Sequence, residues 1–280
     1  MLSKLLKYEF KATGRTYIGL YLAVLAAAAL LGVSFRVPAF LVHTAPIAVL
    51  MIVYLALVVA VVVITVLTIV QRFTRNLLGR EGYLMHTLPV SSAQLILSKL
   101  ISSVVWTLCS LLFIVLSFGL FSLFGTMTSS ALADLMKNLS FYLPEIGKLL
   151  GTVAKGYGFT LVLMVLEWLA SLVCALLCLY TACMIGHQCK QHVMLVGIAA
   201  FVVLNVVQNQ LLNLLPYNTG STGLNLVFST AAGDGSIVYT VSGNKSYLWA
   251  VLAALAADLV LCAVYFAATN WLMQNKLDLE

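Results

Sequence analysis

Charge is scarce in this chain. Only 9% of its 280 residues are Asp, Glu, Lys or Arg, where a soluble domain carries roughly 25%. With 62% hydrophobic residues and a mean hydropathy of +1.07, that scarcity excludes an ordinary water-soluble fold. Acids are rarer than bases, nine against fifteen, for a net charge of +6. A basic balance can mark a nucleic-acid binder. Here the cations cluster at the ends of apolar runs and read as topogenic charge, so no nucleic-acid partner is expected. Catalytic patterns are lacking too. There is no H-E-x-x-H, no paired-Asp arrangement and no G-x-x-x-x-G-K-[ST] phosphate loop, whose spacing Gly243-Asn244-Lys245-Ser246 misses. No residue is expected to be catalytic.

Of the six cysteines, Cys109, Cys174, Cys178, Cys183 and Cys262 fall inside apolar runs, while Cys189 lies in a short polar loop beside His187 and His192. Cys183, His187, Cys189 and His192 have the side chains of a metal site but not the paired spacing of one, so no metal is expected. The outer segments contain no Cys, so no disulfide framework is implied.

What the chain does have is length of apolar sequence. Six runs, about 16–35, 46–70, 100–124, 157–185, 193–214 and 246–273, are each long enough to cross a hydrocarbon core of about 30 Å as a helix. The expected fold is an all-α integral membrane protein with six transmembrane helices in one domain, 1–280. The first run is too long for a signal-peptide core and is expected to be retained. Placing the N-terminus inside puts Lys4, Lys7, Lys11, Arg15, Arg72, Arg75, Arg80, Lys99, Lys190 and Lys276 in the cytoplasm. Arg36, Lys137, Lys148, Lys155 and Lys245 are then outside. The excess of inner cations predicts both termini in the cytoplasm of a bacterial inner membrane.

Before the first span, Leu2, Leu5, Leu6 and Phe10 share one helical face and Lys4, Lys7 and Lys11 take the other. This predicts an amphipathic helix over 1–15 in the lipid interface. Two outer segments, 125–156 and 215–245, connect later spans. In the first, Leu132, Leu135, Met136 and Leu139 recur at helical spacing, predicting a short surface helix that stops at Pro144. In the second, LNLVFST and SIVYTVS flank AAGDG, the pattern of a small hairpin.

One inner segment is different. Gln71–Lys99 reads QRFTRNLLGREGYLMHTLPVSSAQLILSK, a polar island between two apolar runs. Ser91 can cap a helix, Gln94 can close the capping box, and Val90 can pack on Leu95. Gly79 and Gly82 break the helix leaving the second span, so Glu81–Leu88 is expected to be a short helix running across the membrane surface. Its Tyr83, Leu84, Met85 and Leu88 give it more apolar surface than a solvated loop needs, which predicts burial against a partner.

Glu81, Gly82, Leu84, Leu88, Pro89 and Ser91 stand at the positions of an E-G-x-L-x-x-x-L-P-x-S pattern. The stretch resembles the cytoplasmic loop of type-2 ATP-binding-cassette permeases, the membrane subunits of many bacterial exporters. The amphipathic lead and six-span plan are similar as well. The resemblance implies a coupling element at Arg80, Glu81, Gly82, Tyr83, Leu84, Met85, Leu88 and Pro89 that inserts into a cleft on a separate ATPase subunit. ATP and Mg would be held by that partner, with no cofactor in this chain. Neither a phosphate loop nor an LSGGQ-like signature is present here. The resemblance further implies pairing with a second permease copy or paralogue, and a hydrophobic or amphipathic cargo such as an antimicrobial peptide, lipid or drug.

Two acids fall inside the spans, Glu167 in the fourth and Asp258 in the sixth. Intramembrane acids are costly and often line a pathway or relay protons. Asp258 also follows a small-residue face, Ala250, Ala253, Ala254 and Ala257, suited to close helix packing. These acids keep an ion-coupled secondary carrier open as an alternative, beside a non-transporting membrane sensor or enzyme.

Overall fold

A backbone in hydrocarbon has no water to satisfy its N–H and C=O groups, so long apolar runs close their hydrogen bonds within helices. The computed structural model describes residues 2–35, 44–75, 92–126, 129–189, 192–213, 225–230, 237–242 and 245–275. Its helices are α1 (Leu2–Ser34), α2 (Thr44–Phe73), α3 (Ser92–Thr126), α4 (Ser129–His187), α5 (Val193–Asn213) and α6 (Lys245–Asn275). Each holds a stretch long and apolar enough to cross a membrane: Tyr17–Ser34, Ala45–Phe73, Ser92–Gly125, Gly158–His187, Val193–Asn213 and Leu248–Gln274.

These stretches match the six expected runs closely. Only the third begins well before its expected edge, at Ser92, where the capping pattern at 91–94 anticipates a helix start. The outer faces leave Met51, Ile52 and Leu55 on α2, Val115 and Phe118 on α3, and Ile198 and Val202 on α5 exposed. Apolar faces of that extent match lipid rather than water. The chain has the fold of an all-α, multi-pass membrane protein with one small accessory hairpin.

The lead does not end before the first span; α1 runs unbroken from Leu2 to Ser34. At 1.5 Å per residue it is about 50 Å long, well beyond the hydrocarbon core. Its buried face, Glu9, Thr13, Tyr17 and Tyr21, repeats every four residues across the junction at Gly14, so the packing is as continuous as the helix. Nor does Pro144 end a helix: α4 is a single helix of 59 residues with Pro144 inside it. Proline forfeits one backbone hydrogen bond and crowds the carbonyl four residues earlier. Leu-, Ala- and Lys-containing sequence on both sides favours helix strongly enough to carry it across. The hairpin forms as expected. β1 (Asn225–Thr230) and β2 (Ile237–Ser242) pair antiparallel, with Asn225 opposite Ser242 and Thr230 opposite Ile237.

Packing groups the chain into two compact units, Met1–Asn138 with Leu277–Glu280, and Leu139–Lys276. In the first, α1 lies mainly against α3 and secondarily against α2. Tyr17, Tyr21, Val24, Ala28 and Leu31 of α1 form its core with Tyr54 and Val61 of α2. Tyr17 stacks on Trp106 and Tyr21 on Phe113, each pair with ring centroids 4.3 Å apart. Gly32 lets the backbones close: a Cβ there would sit 2.6 Å from the Phe124 Cβ and 3.0 Å from the Phe121 carbonyl oxygen.

The second unit uses the same device where α4 ends and α5 begins. A Cβ on Gly186 would lie 2.7 Å from the Val193 carbonyl oxygen and 2.8 Å from the Gly197 Cα. On α6 the buried residues Ala250, Ala254, Asp258, Tyr265, Thr269 and Met273 are spaced four or seven positions apart, one inward stripe of a helix.

Candidate functional site: the two ends of the polar segment

The residues with the strongest functional signal, Arg80, Glu81, Gly82, Tyr83, Leu84, Met85, Leu88 and Pro89, lie outside the described residues, as do Gly79 and the Ser91 cap. The two ends of the segment are described, and they converge on one side chain. Glu9 of α1 places its Oε2 3.2 Å from Arg72 Nη1, in the last turn of α2. Its other oxygen, Oε1, accepts a hydrogen bond from Lys99 Nζ, two turns into α3. One carboxylate therefore joins three helices, and the cations it binds flank the polar segment on either side.

The cluster is enclosed. Glu9 is 8% exposed and Lys99 5%, while the Arg72 side chain keeps 27% of its surface. Desolvating such charges costs several kcal/mol per ion, and the contacts of both cations with the carboxylate offset that cost. Arg72 and Lys99 carry the same charge, and the acid between them draws both toward α1.

The cluster sits on a rigid base. Thr13, one turn along α1, donates its hydroxyl to the Glu9 carbonyl at 2.7 Å. Phe10 and Tyr17 flank the Trp106 ring at centroid distances of 6.0 and 4.3 Å. Deeper in the unit, Tyr21, Ser110 and Thr65 form a hydroxyl chain, with Tyr21 Oη 2.8 Å from Ser110 Oγ and Thr65 Oγ1 2.9 Å from the same Oγ. Beyond Phe73 the backbone of α2 widens into a π-type turn at Thr74–Arg75, a local change often found where a helix meets a functional segment.

Glu9 is the residue that sequence reasoning passes over. A signal was available: Glu9 lies four residues after Leu5 and three after Leu6, on the apolar face of the lead. A lone acid there must find a cation or be exposed.

The two intramembrane acids lie in the other unit. Cys262 Sγ of α6 donates to the Ala170 carbonyl of α4 at 3.6 Å, and Thr269 Oγ1 is 3.0 Å from Thr181 Oγ1. Positions rise together along both helices, so α4 and α6 run parallel. One turn back from the Cys262–Ala170 contact, Asp258 comes level with Glu167. Asp258 is 3% exposed, and its Oδ1 has no hydrogen-bond partner. Glu167 is half-buried.

Cys183 is half-buried while His187, Cys189 and His192 are exposed. Among the described residues no three His, Cys, Asp or Glu side chains gather as metal ligands. No family model, curated protein or solved structure matches the chain.

Proposed function

We propose that this chain is the permease subunit of an ATP-binding-cassette exporter of the type-2 class, driven by a separate ATPase subunit. In this reading the segment Arg80–Pro89 docks on the ATPase in the cytoplasm, and a second permease copy or paralogue completes the pathway. Nucleotide binding and hydrolysis belong to the partner. This chain contributes a docking surface and the spans that move with it.

The observation that best supports the reading is the Glu9–Arg72–Lys99 cluster. A merely connecting loop needs no buried ionic base, whereas a segment that receives force from a partner does. Six apolar helices agree with the same reading, which places both termini in the cytoplasm of a bacterial inner membrane. The cargo expected is hydrophobic or amphipathic, a peptide, lipid or drug.

The test is direct. Purified alone, the chain hydrolyses no ATP; purified with the ATPase encoded beside it, it forms a complex whose turnover depends on the permease. An adjacent reading frame without nucleotide-binding motifs, and failure to bind any such ATPase, would sink the reading.

One observation favours a second reading. The unpartnered Oδ1 of Asp258, level with Glu167 on the parallel helix, is what a proton- or cation-coupled carrier would place in its spans. That carrier would transport in vesicles under an ion gradient without ATPase, and Asp258→Asn would abolish the activity.

A further inference from the structure

We propose that the groove between α1, α2 and α3, at the end of their unit far from Glu9, holds one acyl chain of a bilayer phospholipid. The site rests on the six-span fold and is independent of the exporter reading.

Packing explains why a groove forms there. Near its end α1 is drawn against α3, where Gly32 brings the two backbones together at Phe121 and Phe124. Beside that contact α2 presents the single methyl of Ala48, and a cavity of about 410 Å³ is left, within the range of pockets that hold small molecules. Leu31 and Tyr54 are buried and form its floor, while Ile52, Leu55 and Phe118 are exposed and form its rims. The floor is rigid. Tyr54 Oη lies 2.9 Å from Ser117 Oγ, and the Tyr54 ring meets Phe118 edge-on and Phe121 near-parallel, at centroid distances of 5.8 and 6.4 Å.

Chemistry, width and depth together choose the occupant. Among the described residues that line the groove, the only side-chain nitrogen or oxygen is the Tyr54 hydroxyl, which Ser117 engages. A polar ligand finds no partner on such walls, whereas a hydrocarbon chain needs none. Ala48 to Leu55 rise about 10 Å along α2. Spread over that length, the 410 Å³ averages about 40 Å² in cross-section, half or less of what a helix about 10–12 Å across requires. A span of a second copy is therefore too wide. Helix pairs in membranes also favour small residues and interhelical hydrogen bonds, and of the lining residues only Ala48 is small.

Along α2, Ala48 and Leu55 lie about 5 and 15 Å from Ala45, where the apolar stretch begins. That is the depth of one leaflet's chains in a hydrocarbon core of about 30 Å. Ile52, Leu55 and Phe118 belong to the lipid-facing surface as well, so a chain enters sideways from the bilayer. It leaves one hydrocarbon medium for another, and the hydrophobic effect contributes little. Close contact with the aromatic floor supplies the preference.

Photolabelling of the full chain in nanodiscs tests the site. The probe is phosphatidylethanolamine carrying a diazirine midway along one acyl chain, and the label is located by peptide mass spectrometry. Labelling of residues 48–55 and 118–121 is expected to exceed that of the lipid-facing stretch 198–203 of α5 by about fivefold or more. In Ala48→Trp, whose indole fills the groove, the excess should fall to within about twofold. Val49→Trp, on the exposed surface beside it, should keep the excess. Phe118→Ala removes one rim without adding bulk and should lose most of it, which guards against misfolding of the Trp variant. Equal labelling of the three stretches in the wild type, the mark of ordinary boundary lipid, overturns the proposal. So does an excess that Ala48→Trp and Phe118→Ala both leave intact. Cross-linking of the groove residues to a second copy in place of lipid overturns it too and assigns the groove to a protein interface.

Discussion

In the unit built on α1, α2 and α3, the buried acid Glu9 meets two cations from two other helices. In the unit that holds α5 and α6, the buried acid Asp258 has one oxygen with no hydrogen-bond partner. The first unit is thus cross-linked by charge. The second is joined by close backbone approach at Gly186 and Gly197, and by neutral contacts such as Thr181 with Thr269. An acid held between cations is suited to transmitting force between helices. An acid with an open oxygen is suited to receiving a proton, a cation or a partner, or else it simply costs stability. Burial is similar in the two places, so the partners decide the role.

The largest effect should come from breaking the ionic bridge. Glu9→Ala takes the carboxylate from between Arg72 and Lys99 and is expected to cost about 3–5 kcal/mol, read as thermal unfolding in detergent. Near wild-type stability would mean that the cluster is ornamental. Next in size is a steric change in the other unit. Gly186→Ala drives a methyl into the Val193 carbonyl and Gly197 and should destabilise by about 1–3 kcal/mol. Gly119→Ala, where a Cβ meets nothing within 4 Å, should instead gain up to about 1 kcal/mol. The opposite signs test whether close approach is what joins α4 to α5.

The third prediction reverses the sign between the two acids. Replacing Asp258 by Ala, the residue at 250 and 254 on the same stripe, removes a buried oxygen that has no partner. It should leave stability unchanged or raise it by about 1–2 kcal/mol. A loss as large as that from Glu9→Ala would erase the contrast between the units. The smallest effect is expected at the hydroxyl chain. Tyr21→Phe should cost about 0.5–1 kcal/mol, the worth of one hydrogen bond between membrane helices.

The spans were readable from sequence because hydrophobicity over 18 or more residues is a local property. The start of α3 near Ser91 and the hairpin were readable for the same reason, from short-range capping and alternation. Glu9 was not, since its partners lie 63 and 90 residues away and helical periodicity carries no information at that range. The change from amphipathic to apolar sequence suggests a junction after the lead, yet the helix runs on through it. The packing of Glu9, Thr13, Tyr17 and Tyr21 across that point decides otherwise. Pro144 suggests a stop by its local cost, which the helix-favouring sequence around it outweighs. For the acids, sequence supplied Glu167 and Asp258 but not their common level, which follows from the parallel run of α4 and α6.

The proposed docking of an ATPase on Arg80–Pro89 is tested by the affinity of the neighbouring ATPase subunit for the full chain in nanodiscs, wild type against Glu81→Ala with Tyr83→Ala. Truncating anchor side chains at an interface typically costs 2 kcal/mol or more, so a loss of at least about thirtyfold is predicted. Equal affinity for both, or no binding to either, would contradict the account.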